Sequence, residues 1–118
     1  MKRSIGFACL AAATPALADP LPRPAAFAMC GVCHAATAGA PAKIGPNLWQ
    51  VGGRKAGTLA GYAYSPAMKN SGITWTRADL VKFLSGPQAR VPGTKMAFAG
   101  LKKPGDAETV ADYLLSLK

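Results

Sequence analysis

Apolar residues recur at helical spacing in only a few short windows, and those windows set the expected elements. Val110, Tyr113, Leu114 and Leu117 make one stripe, on a helix expected to start near Pro104-Gly105-Asp106. Asp106 and Glu108 stand ahead of that stripe, where they favour the positive end of the helix dipole. Leu80, Phe83 and Leu84 make a second stripe, opened by the capping-box pattern Thr76-Arg77-Ala78-Asp79 and stopped by Gly86-Pro87. Ser65-Pro66-Ala67-Met68-Lys69-Asn70 predicts a helix of one or two turns, with Ser65 as N-cap and Pro66 in the first position. A further short helix is expected at or just after Pro24, turning Phe27 inward and delivering Cys30 and Cys33 near its end. No alternating pattern suggests a strand, and no repeat is present. The fold class expected is all-α, three to four short helices joined by long loops.

Between residues 35 and 61 the chain is rich in Gly, Ala and Pro and almost without periodicity. A loop of that length is unusual in a compact domain unless it wraps something that supplies the missing core. The chain has 118 residues, enough for one modest core. Residues 1–18 read as a secretory leader: Lys2 and Arg3, an apolar run over 5–13, then Ala16-Leu17-Ala18 as a small-residue cleavage site. That run is too short to span a bilayer and Thr14-Pro15 breaks it, so cleavage after Ala18 and a periplasmic location are expected. The mature domain is then 19–118, with a proline-rich lead-in over 19–24 where no helix can run. Losing Lys2 and Arg3 lowers the net charge from +9 to +7. Such a balance suits an acidic protein or an anionic membrane surface. Nucleic acid is disfavoured by export and by the lack of basic runs interleaved with aromatics.

The chemistry is concentrated in Cys30-Gly31-Val32-Cys33-His34. C-x-x-C-H is the attachment signature of a c-type haem. Three residues of separation make about one helical turn, which sets both sulfurs along one porphyrin edge with the histidine beneath the iron. A zinc site fails on count, since the chain has three cysteines and one histidine and Cys9 lies in the leader. A thiol–disulfide couple lacks the surrounding βαβ pattern. The lone histidine also excludes bis-histidine ligation, leaving methionine, lysine, a terminal amine, water or nothing for the sixth position. Met29 adjoins the attachment site on the wrong side, and Met68 reads as packing on a short helix. Met96 follows Pro92-Gly93-Thr94-Lys95, a loop with turn chemistry, and is the favoured ligand. A thioether there stabilises ferrous iron and fills the site against oxygen chemistry.

With these segments in view, the chain resembles the class I cytochromes c, in particular the bacterial cytochrome c2 and mitochondrial branch. The matching runs are Cys30 to His34, Lys43-Ile44-Gly45-Pro46-Asn47-Leu48, Gly53-Arg54-Lys55, Gly61-Tyr62-Ala63-Tyr64, Gly72-Ile73-Thr74-Trp75, Pro92 to Gly100, and Ala111-Asp112-Tyr113-Leu114. The resemblance implies a cytochrome c fold around one covalent haem c, with His34 and Met96 as axial ligands. It implies that Pro46 offers its carbonyl to the far nitrogen of His34. It also implies that Tyr64 and Trp75 hydrogen-bond the haem propionates with Arg54 near them, that Thr94 supports the propionate side, and that Phe98 covers the haem edge. The chain departs from the family where Phe83 replaces a tyrosine, Met68 an asparagine and Arg23 a glycine. Met29, Gln88 and Ala89 replace usual lysines.

The expected function is one-electron carriage between periplasmic respiratory or photosynthetic partners, with no catalysis on a substrate. The expected donor is a cytochrome bc1-type complex and the acceptor an oxidase or reaction centre, or a dehydrogenase is the partner. Lys43, Lys95, Lys102 and Lys103 would ring the haem edge and steer a monomer onto an acidic docking site. The alternative is a dedicated haem subunit of a periplasmic dehydrogenase or sulfur-oxidising complex, which an exposed apolar docking patch would favour.

Overall fold

The computed structural model describes residues 6, 8–14 and 18–118. Lys2, Arg3, Ile5, Ala16 and Leu17, on which the leader reading rests, lie outside the described residues. No helix among the described residues is long and apolar enough to cross a membrane.

A 3-10 turn at Ala25–Phe27 runs into the single-turn helix α1, Cys30–Cys33, so the expected first helix is broken at residues 28 and 29. Then come α2, Pro66–Lys69, and α3, Arg77–Ser85. The caps are those expected. Ser65 Oγ accepts from the Met68 N–H at 3.1 Å, and Thr76 Oγ1 accepts from the Asp79 N–H at 3.3 Å. Asp79 does not complete a reciprocal box; its carboxylate takes the Thr76 hydroxyl at 3.4 Å and the Arg90 guanidinium at 3.1 Å.

Gly86-Pro87 ends α3 as expected but also opens α4, Pro87–Arg90. Proline stops one helix and suits the first turn of the next, so the count among the described residues rises to five α-helices, three of them single turns. The last, α5, is Asp106–Leu115, entered through Gly105 at φ 85°. The described residues contain no strand, only a bridge between Lys55 and Thr74.

α3 packs on α5, α4 on α3, and the 3-10 turn on α5. Phe27 is fully buried and meets Tyr113 edge-on, ring centroids 5.0 Å apart. Burying such a side chain is worth about 1.5–3 kcal/mol. Arg23, which replaces the expected glycine, lies over the outer face of Phe27 at 4.9 Å, so the helix contact is kept and capped by a cation. The two long helical stripes supply Leu80, Phe83, Leu84, Val110, Leu114 and Leu117 to the core. The segment over 35–61 carries no helix and is tied by local bonds. Asn47, buried, donates to the Thr37 and Ala40 carbonyls at 2.8 and 3.0 Å and accepts from the Trp49 N–H at 3.0 Å.

Candidate functional site

The loops and helices leave an apolar cleft of ≈ 420 Å³ between them. Its floor is Phe27, Leu80, Phe83, Leu84, Val110 and Leu114, the inward faces of the first turn, α3 and α5. Volume and lining suit a bound organic group rather than water. Every residue expected from the attachment motif and loop reaches it: Cys30, Cys33 and His34 from α1 and its end, and Met96, Phe98, Thr94 and Lys95 from the loop after α4. Pro46, Arg54, Tyr64 and Trp75 line it too. Lys43, Lys102 and Lys103 do not.

Cys30 is buried, Cys33 is partly exposed, and both are free thiols. Burial pushes the Cys30 thiol up, a bond from its own backbone opposes this, and the Cys33 charge adds to it. A redox-active C-x-x-C would show the opposite, a thiol held low. Among the described residues no group of three or more His, Cys, Asp or Glu could hold a bare metal ion.

His34 Nδ1 lies 2.7 Å from the Pro46 carbonyl oxygen. A carbonyl only accepts, so Nδ1 carries the proton and Nε2 keeps its lone pair. Burial lowers the imidazole pKa, the Pro46 bond works against that, and the Lys43 charge adds to the lowering. The neutral ring that results is the form that ligates metals. Sequence reading missed why residue 45 is glycine. A Cβ there would run into the His34 ring, so only glycine lets the loop lie flat on the imidazole.

The polar end of the cleft is Arg54 with Tyr64 and Trp75. Arg54 is fixed by the Asn47 carbonyl at 3.2 Å and the Trp49 carbonyl at 3.3 Å. Burial lowers its pKa while Tyr64 pulls it back up, and it stays charged. Burial raises the Tyr64 hydroxyl, opposed by Arg54. A cation and a phenol at one end of an otherwise apolar cleft suit an amphipathic group with an anionic edge.

Two further lining residues are apolar where the resemblance expects polar ones: Met68, buried on α2, and Phe83, whose ring lies 5.1 Å from Trp75. Met68 therefore packs as expected, but into the cleft. At the mouth, Met29, Val32 and Ile44 are 67%, 69% and 75% exposed and all line the opening. Three of the four expected docking lysines are tied back to carbonyls: Lys43 to Gly31 at 2.8 Å, Lys95 to Ala63 at 2.5 Å, Lys102 to Ser85 at 2.6 Å. Two thiols one helical turn apart, an imidazole with a free Nε2, a thioether from a distant loop and an apolar cleft fit the haem expected from the motif.

No family model matches the chain. Curated relatives do. Cytochrome c2 iso-2 of Magnetospirillum fulvum is 50% identical over 94 residues, covering 80% of this chain and 97% of the relative. Cytochrome c-550 of Nitrobacter winogradskyi is 48% identical over 90 residues, covering 76% and 83%. Among solved structures, cytochrome cH from Methylobacterium extorquens superposes with a TM-score of 0.70 at 44% identity, covering 75% of this chain and 89% of that one.

Proposed function

The chain belongs to the cytochrome c2 group of class I cytochromes c, electron carriers rather than enzymes that hold one covalent haem c, and from that premise we propose the residues that do the work. Cys30 and Cys33 would hold the haem through thioethers, and His34 Nε2 and the Met96 thioether would ligate its iron. The observation that carries this is the convergence of all four in one apolar cleft. When bound, haem supplies an iron that gains or loses one electron.

The rest is done by the chain. The Pro46 carbonyl fixes the His34 tautomer and sharpens its basicity. Arg54, Tyr64, Trp75 and Thr94 would hold the propionates, Phe98 would cover the haem edge, and the apolar floor of the cleft keeps water away. Residues 1–18 are an export leader, and the partners, which are redox proteins, are met in the periplasm. The test is mass spectrometry with a redox titration of the purified protein. A chain beginning at Asp19 plus one haem, titrating with one electron, is expected. A non-covalent haem or an uncleaved chain would contradict the corresponding part.

For docking, Lys43, Lys95, Lys102 and Lys103 favour an acidic redox protein, such as a bc1-type donor or an oxidase, reaction centre or dehydrogenase. Anionic membrane is a weaker peripheral partner. Lys103→Glu should slow electron transfer at low salt, and the deficit should shrink once the Debye length falls to about 8 Å or less. Lys69→Glu and Lys118→Glu should do much less; equal effects at all three positions would leave only net charge. The exposed Met29, Val32 and Ile44 favour a second reading, a haem subunit seated on one large enzyme. Salt-insensitive transfer and co-purification with that enzyme would select it.

A further inference from the structure

The loop that carries Met96 has little backbone bonding to hold its shape. Between Val91 and Met96 the structure shows one turn bond, Thr94 N–H to the Val91 carbonyl at 3.0 Å. Side chains supply the rest. Thr94 is buried, and its Oγ1 accepts the Met96 N–H at 3.3 Å. On the other side of the same residue, the Thr94 carbonyl accepts from Gln88 Nε2 at 2.9 Å. The Gly93 N–H in turn donates to Gln88 Oε1 at 3.4 Å. One primary amide thus uses both its donor and its acceptor on consecutive loop residues, as a neighbouring peptide group would.

Gln88 itself stands on a firm base. It follows Pro87, which is buried, and α4 is tied to α3 through the Arg90–Asp79 ion pair at 3.1 Å. The opposite side of the loop rests on α2: Gly93, at φ 90°, leaves only 3.3 Å between a Cβ and Ala67. The loop is wedged between two short helices; Lys95 Nζ ties it to the Ala63 carbonyl ahead of α2, and Gln88 holds it on the α4 side.

We propose that Gln88 is a positioning residue for the sixth ligand: its amide clamps Gly93 and Thr94 and so sets how often Met96 swings out of the cleft. This rests on the reading of Met96 as that ligand. Local opening of such a loop is a separate equilibrium from global unfolding, so it has its own observable.

The experiment is stopped-flow binding of imidazole to the ferric holoprotein. With Met96 in place the observed rate should level off at high imidazole, at the rate of loop opening. Gln88→Ala and Gln88→Met should raise that plateau about tenfold, the size of one to two net hydrogen bonds. Gln88→Glu keeps the acceptor for Gly93 but sets a carboxylate against the Thr94 carbonyl, and should raise it at least as much. Ala89→Gln, one residue along, should leave it unchanged. In a Met96→Ala background Gln88→Ala should have no effect. A wild-type rate already as fast as that of Met96→Ala would overturn the Met96 reading. A wild-type plateau that stays within about twofold in all the Gln88 variants would overturn the clamp alone. Equal acceleration with and without Met96 would also overturn it, since the effect would then be general loosening.

Discussion

Replacing both thiols, Cys30→Ala with Cys33→Ala, should remove nearly all the haem that survives acid–organic extraction of the denatured protein. The native cleft can still embrace a porphyrin through His34, Met96 and its apolar floor, so the folded variant keeps some colour. Denaturation dissolves that cleft, and only covalent bonds outlast it. Cys30 and Cys33 are free, share one helical turn and both line the cleft. The single variants should each retain haem through one thioether. Mass spectrometry after extraction reads all of these. Haem retained by the double variant would move the attachment elsewhere.

Met96→Ala should lower the reduction potential by roughly 0.1–0.3 V, within the ~0.8 V that axial ligands span. The thioether is a soft donor that favours ferrous iron, and no other thioether is carried by this loop. The variant should also bind cyanide and carbon monoxide, which the wild type resists. An unchanged oxidised spectrum would hand the role to Met68, which lines the same cleft, or to a lysine. Phe83→Tyr is a smaller test of the same side. A hydroxyl aimed at the Met96 sulfur would favour the electron-rich form by about 1 kcal/mol, or ~40 mV for one electron, upward. No shift would show that the hydroxyl turns away from Met96.

Sequence alone carried the features whose cause is local. The C-x-x-C-H spacing, the Ser65 and Thr76 caps and the stripe ending at Leu117 depend on residues within about one or two turns of each other. Gly86-Pro87 was ambiguous for a local reason as well, because one dipeptide serves as both a stop and a start. What stayed hidden depends on remote neighbours. Nothing near Gly45 announces that an imidazole will lie against it. The fixing of Arg54 by two carbonyls, the hydrogen bonds that tie Lys43, Lys95 and Lys102 to the backbone, and the convergence of Met68 with Phe83 all follow from packing across loops. The apolar trio at the mouth was equally invisible, since Ile44 joins Met29 and Val32 only once the loop has come back to α1, where the Gly45 N–H donates to the Cys33 carbonyl at 2.8 Å.

The segment around Leu21 is stitched to the residues that follow α5: the Leu21 N–H donates to Ser116 Oγ at 2.9 Å. Ends so placed can be joined by a short linker and the ring reopened elsewhere. Ala60 and Gly61 are exposed, and nothing lies within 4 Å of a Cβ at Gly61, which makes that bond a suitable place to cut. The rearranged chain would present its thioether loop first and its attachment motif last. It should still give the wild-type absorption spectrum and potential, because the cleft is defined by which segments meet and not by the order in which a ribosome makes them. A circular permutant that takes up haem but fails to recover the wild-type spectrum would show that the order of synthesis matters after all.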